Sequence, residues 1–200
     1  MVSENEVTAL KNSIVSMKSR IKFKDNFHLK NTYYMMYDWL CKENWATRKD
    51  NDFPEVFVGQ NEAALGGVEA WWSWRPERVI NSYIKWKMDI DTHIILIREV
   101  EVMKDGKKYK TNWGEIEIHM HAWVVPDWQG KWVKHPILKH FADVYMRRIQ
   151  KATLTSERDQ LRREAYRYRE AIKEFLELNK NLPESESEAN FFPRTGIGEE

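Results

Sequence analysis

The period of apolar and polar positions changes several times along the chain, and each change predicts an element. Over residues 1–18, Val7, Leu10, Ile14 and Met17 recur at helical spacing, which predicts an N-terminal helix. Residues 19–27 alternate, with Ile21 and Phe23 on one side and Lys22 and Lys24 on the other, as in a short strand. Residues 28–45 return to the helical period. Leu29, Tyr33, Met36, Tyr37, Leu40 and Cys41 form an apolar stripe, which a polar run over 46–52 ends. From residue 53 the period is two. Residues 54–59 and 66–74 read as strands, with Gly66 and Gly67 as a bulge or turn between them. In residues 80–90, Ile84, Trp86, Met88 and Ile90 face away from Lys85, Lys87 and Asp89, and residues 92–103 continue as strand. Asp105-Gly106 is the strongest hairpin signal in the chain. Residues 109–125 return from it, and Pro126 closes the strand.

The last third is helical in pattern. Pro136 suits the first turn of a helix, and Ile137, Phe141, Val144, Tyr145 and Ile149 fall on one stripe. Leu154, Leu161, Ala165, Tyr168, Ile172, Phe175 and Leu176 form a second stripe, and the Ser/Thr and acidic residues of 155–159 predict a cap near 154. Residues 183–200 are polar and acidic, a composition that does not predict packing. The expected fold class is therefore α+β. An N-terminal helix precedes an antiparallel meander of five to six strands, and a long C-terminal helix or helix pair packs on one sheet face. One domain would span 1–182, with 183–200 as a tail.

That order is similar to the helix-grip arrangement, in which a terminal helix lies across a curved sheet. The resemblance implies a small apolar or aromatic ligand held between sheet and helix. Trp86, Met88 and Met120 on the strands and Tyr145 on the helix are then the lining candidates.

Composition narrows the setting. The 200 residues are 42% hydrophobic, 32% charged and +1 in net charge, so overall charge selects no partner. One cysteine excludes an intrachain disulfide. With no signal-like N-terminus this leads to an intracellular, cytoplasmic expectation. No apolar run approaches the roughly 18 residues of a membrane span. Tryptophan is over-used, at ten residues, and suits either core building or a contact surface.

Candidate chemistry is sparse. Glu115, Glu117, His119 and His121 share one parity of the strand. Alternate positions on one face lie about 7 Å apart, close enough for His119 and His121 to share a metal given a third ligand. That pattern also describes the wet side of a sheet, where Lys85, Lys87, Glu99 and Glu101 would supply opposite charges across strands. Phosphate loops, nucleophile elbows, zinc-protease helices and cysteine pairs are missing from the sequence. A metal-dependent enzyme using the histidine pair therefore ranks last, and no cofactor or metal site is expected. Cys41, inside an apolar stripe, reads as packing.

The region 147–169 holds Arg147, Arg148, Lys151, Arg158, Arg162, Arg163, Arg167 and Arg169 against Glu157, Asp159 and Glu164. Arg158, Arg162, Tyr166 and Arg169 fall near one flank, a combination suited to polyanions or an acidic partner. The expectation is a non-catalytic binding or assembly protein, soluble and contacting a macromolecule through this basic helix or the charged sheet face. A protein or a second copy of the chain is the expected partner. Nucleic acid and a small apolar ligand are the alternatives.

Overall fold

A computed structural model describes residues 13–49, 53–62, 67–104 and 107–178. The chain forms β1 (Ile14–Phe27), α1 (Leu29–Lys42), β2 (Glu55–Glu62), β3 (Val68–Trp74), β4 (Glu77–Val79), β5 (Ile84–Lys104) and β6 (Lys107–Pro126). Short helical turns over 131–149 follow, and then α2 (Lys151–Leu178). The strands make one six-stranded antiparallel sheet in the order β1-β6-β5-β3-β2, with β4 also on β5. The boundary expected at 182/183 and the acidic segment after it lie outside the described residues.

The alternating residues 84–104 and 107–126 produce the two longest strands, which pair from Ile84↔Pro126 to Lys104↔Lys107. The two-residue connection agrees with the Asp105-Gly106 signal, although those residues themselves lie outside the described set. Register shifts between Ile95 and Arg98, where Leu96 takes a φ of 55°. Gly114 is needed opposite this bulge, because a Cβ there would sit 3.3 Å from the Ile95 carbonyl oxygen and 3.4 Å from the Ile97 Cα.

Residues 14–18 are strand, not helix. A bulge between Val15 and Met17 shifts the register of β1 against β6. The inserted residue turns both Ile14 and Met17 toward the core, so a spacing of three that reads as helical is two strand positions and a bulge. Val7 and Leu10 lie outside the described residues. As an edge strand, β1 carries Lys18, Arg20, Lys22 and Lys24 at exposed positions, a pattern that discourages further strand pairing.

One sheet face is apolar and buried. Met17, Ile21, Trp72, Trp74, Met88, Ile90, Ile116, Ile118 and Met120 lie under both helices. Helix α1 contributes Leu29, Tyr33, Met36 and Leu40, and Tyr33 meets Trp72 and Trp74 edge-on at 5.4 and 5.1 Å. Helix α2 packs on β1, β6 and α1 through Leu154, Leu161, Ala165, Tyr168, Ile172 and Leu176, all buried. At roughly 1.5–3 kcal/mol per large apolar side chain, that stripe contributes on the order of 10 kcal/mol to holding α2.

Two carboxylates tie these layers together. Glu55 Oε1 accepts from Tyr33 Oη at 2.8 Å and from Trp74 Nε1 at 2.9 Å. Glu164 of α2 accepts both Arg78 Nη2, at 2.7 Å, and Trp45 Nε1, at 3.1 Å. The Arg78 guanidinium also lies 4.8 Å from the Trp45 ring and 4.6 Å from the Trp86 ring. One arginine thus joins the sheet, the chain leaving α1, and α2.

Candidate binding surface

Strand order decides what the alternating polar row meets. Lys22, Glu117, His93 and Trp71 form one row across β1, β6, β5 and β3, and Arg20, His119, Asp91 and Ser73 form the next. Lys18, His121 and Asp89 make a third. Glu117 receives Arg20 at 2.7 Å and Lys22 at 3.1 Å, while Lys22 reaches Glu115 at 2.6 Å. These two cations push the Glu117 carboxyl down to about 2. Arg75 holds Asp91 at 2.6 Å and Asp89 at 3.5 Å, and Ser73 Oγ donates to Asp91 at 2.7 Å. Burial, opposed by Arg75 and Lys87, raises the Asp89 carboxyl above its ordinary value.

The expected cross-strand pairing of opposite charges is therefore present, but β1 supplies the partners of Glu115 and Glu117. Lys85 and Lys87 turn to Glu77 on β4, at 2.6 and 3.7 Å, and Lys108 reaches Glu101 at 3.4 Å. Aromatic rings lie among these charges: Trp71 stacks on His93 at 5.1 Å, and Lys24 and Lys85 sit over Trp113 and Trp128. His119 lies 3.7 Å from Glu117 and half exposed. Among the described residues no group of three or more His, Cys, Asp or Glu is placed to hold a metal.

The ligand-lining candidates occupy two places. Trp86, Met88 and Met120 are buried in the sheet's apolar face, with Trp86 stacked on Trp45 at 6.2 Å under the Arg78 guanidinium. Tyr145 stands instead against Trp132 at 4.0 Å and Tyr83 at 5.6 Å. Desolvation in that cluster, followed by Asp127 and Tyr145, pushes the Tyr83 hydroxyl up to about 12. Cys41 is half-buried and packs against the core.

Of the polyanion candidates, Arg162, Tyr166 and Arg169 come together. Both guanidinium groups lie over the Tyr166 ring, at 5.7 and 5.8 Å. Arg169 also pairs with Glu170 at 3.0 Å, and Arg158 with Asp159 at 3.0 Å. Two of the three arginines in the set therefore have a carboxylate beside them, supplied by the next residue in the chain.

The feature that sequence reasoning misplaced is the segment before α2. The helical period over 137–152 predicts one helix opening at Pro136, and no such helix forms over 131–149. These residues form short turns over Lys131–Lys134, Leu138–His140 and Ala142–Val144, then a π-helical turn over Tyr145–Ile149 that ends at Gln150. Gln150 N–H donates to the Tyr145 carbonyl at 2.9 Å, the i→i+5 bond of that turn. The break ahead of the last helix thus falls at 150 rather than near 154. Because no helix runs through, the stripe of 137, 141, 144, 145 and 149 divides. Tyr145 turns in to Trp132 and Tyr83, while Ile137, Phe141, Val144 and Ile149 stay 49–67% exposed.

This shoulder is also basic. Residues 131–151 hold Lys131, Lys134, Lys139, Arg147, Arg148 and Lys151 against Asp143. Where it joins α2, a cavity of about 360 Å³ opens over a floor of Ile14, Met146 and Leu154, with Arg147, Lys151 and Arg158 at the rim. A second cavity, of about 290 Å³, lies between the helices beside Met35, Trp39, Ala171 and Phe175, with Asp38, Lys42 and Glu174 around it.

No model of a known protein family and no curated protein sequence matches the chain. Among the described residues no helix is long and apolar enough to cross a membrane.

Proposed function

We propose that this is a non-catalytic binding or assembly protein that engages a macromolecular partner through the basic shoulder and the adjoining start of α2. One observation carries the reading: four large apolar side chains, Ile137, Phe141, Val144 and Ile149, each stand exposed within one stretch of chain, and residues 131–151 around them hold six cations and one carboxylate. Scattered apolar residues are ordinary at a protein surface, whereas a contiguous patch rimmed by charge marks an interaction site. Covering the four would contribute on the order of 4–7 kcal/mol of apolar transfer before the costs of association. The outer sheet face is the weaker candidate, because its charges already pair with one another.

The experiment is a native mass measurement of the purified protein beside the Phe141→Asp/Ile149→Asp variant. The variant is expected to keep the wild-type melting temperature and to lose any multimer or co-purifying macromolecule. Unchanged assembly in the variant would refute the reading.

A second reading has its own support. Strand, helix, meander and a terminal helix across one sheet face make an order similar to the helix-grip arrangement, which suits a small apolar ligand. The cavities described above lie at the helix edges, so such a ligand would enter beside α2 rather than displace Trp86 and Met120.

A further inference from the structure

Resting on that assembly reading, we infer that the cavity at the start of α2 receives Phe191 or Phe192 from a second copy of the chain, so that copies join head to tail. The receiving side has an apolar floor of Ile14, Met146 and Leu154 under a cationic rim of Arg147, Lys151 and Arg158, the last paired with Asp159. The same chain carries the complement. Glu184, Glu186 and Glu188 precede Phe191-Phe192, with Arg194 after them. Aromatic anchors seated in an apolar pocket, with charges matched around the edge, are how small interfaces gain most of their affinity.

Charge excludes the simplest alternative among self-contacts. Shoulder against shoulder would face six cations and one carboxylate with the same set, and like charges repel strongly across a desolvated contact. The occupant must be acidic and apolar together.

Reach favours a neighbour's tail over the chain's own. The cavity lies on the first two turns of α2, and Leu178 ends the helix 24 residues beyond Leu154. At a rise of about 1.5 Å per residue that is roughly 36 Å. Phe191 follows Leu178 by 13 residues, so at about 3.3 Å per residue it arrives only near full extension, at roughly 43 Å. Glu184, Glu186 and Glu188, six, eight and ten residues past Leu178, span at most about 20, 26 and 33 Å and fall short of Lys151, about 40 Å back along the helix. A neighbouring copy meets neither limit. The donor segment follows the end of α2 at Leu178 while the acceptor lies on its first turns, and the two are different parts of the chain, so the contact is heterologous and propagates into a chain or closes into a ring.

The test uses full-length protein in sedimentation and light-scattering mass measurements over concentration and salt. The wild type is expected to gain mass with concentration and to lose it as salt screens the rim. Phe191→Ala/Phe192→Ala and Arg147→Glu/Lys151→Glu should each weaken association by about tenfold or more, with unchanged circular dichroism. Mixed together, these two variants should form a heterodimer that stops at two, since one keeps only a working cavity and the other only a working tail. Adding Glu186→Lys/Glu188→Lys to the charge-reversed cavity should restore self-association. A wild type that stays monomeric at every concentration overturns the proposal, whether its tail lies along its own helix or its shoulder binds anionic phosphatidylglycerol vesicles instead. Assembly that survives loss of both phenylalanines also overturns it. If that assembly still collapses in Phe141→Asp/Ile149→Asp, the shoulder remains the interface and only the tail is excluded.

Discussion

On the outer sheet face Arg20, Lys22, Arg75 and Lys85 each meet a carboxylate at 2.6–2.7 Å. On the shoulder Lys139, Arg148 and Lys151 rise among exposed apolar side chains, and no ion pair ties these three among the described residues. Both regions are rich in charge, yet the sheet face spends its charge internally while these three cations present theirs outward. The difference follows from backbone regularity. A sheet brings residues far apart in sequence into rows, so opposite charges find one another across strands. A broken helix offers only its own sequence neighbours, and residues 131–151 hold a single acid. Density of charge is therefore a poor guide to a contact surface, and unmatched charge beside exposed apolar area is a better one.

The sharpest break of this contrast lies beneath the sheet face. Ile118 is fully buried on β6, and Ile118→Asp is expected to cost more than about 4 kcal/mol, so that the chain fails to fold. A cooperative melt near the wild-type temperature would remove the assignment of faces. Glu164→Ala comes next. It leaves the Arg78 guanidinium between Trp45 and Trp86 without its carboxylate, at an expected cost of about 2–3 kcal/mol in chemical denaturation, less than for a fully buried pair. A loss near zero would mean that ring stacking alone holds α2 there.

A smaller effect separates the paired face from the unpaired one by pH. Glu117 titrates at about 2 in the folded protein against an ordinary 4.5. Its contribution is complete above the ordinary value and fades as the pH falls toward about 2. Glu117→Gln should therefore lower stability at neutral pH, with the gap to wild type closing on acidification. A gap independent of pH would show that Arg20 and Lys22 do not act through its charge. The smallest expected effect is Ile149→Ser, within about 0.5 kcal/mol of wild type in thermal melts. A large loss would mean that this side chain belongs to the core and not to a contact surface.

Much of the fold is legible in the chain, and the exceptions have physical causes. Alternation over 84–94 and 115–124 marks two long strands, whereas the apolar run of Ile94–Ile97 hides the bulge between Ile95 and Arg98; the stripe from Leu154 to Leu176 marks the buried face of α2. The bulge at Val15–Met17 leaves no local mark, because it exists only in register with β6; without it Ile14 and Met17 mimic a helix. The partners of Glu115 and Glu117 follow from strand order, which no single strand encodes. On the shoulder the helical period puts Ile137, Phe141, Val144, Tyr145 and Ile149 on one stripe, but the broken turns leave four of them exposed and turn one inward. Periodicity says which residues would share a face and not whether anything covers it. The aromatic hold of Trp132 and Tyr83 on Tyr145, which turns that one residue inward, lies beyond any window of neighbouring residues.

The lysine-rich first strand has a consequence for how the protein is made. Phe27 pairs with Asn112 and Ile14 with Val124, so β1 leaves the ribosome some 85 to 110 residues before its partner. At about 5–20 residues per second that is a delay on the order of 4–20 s. Throughout it a strand with an apolar side has an unpaired edge, the condition in which nascent chains aggregate. Lys18, Arg20, Lys22 and Lys24 place a cation at every second position of that edge, where they act as gatekeepers during synthesis. Two of them, Arg20 and Lys22, find their carboxylates only when β6 arrives. The charges that keep the nascent strand solitary thus become part of the finished sheet.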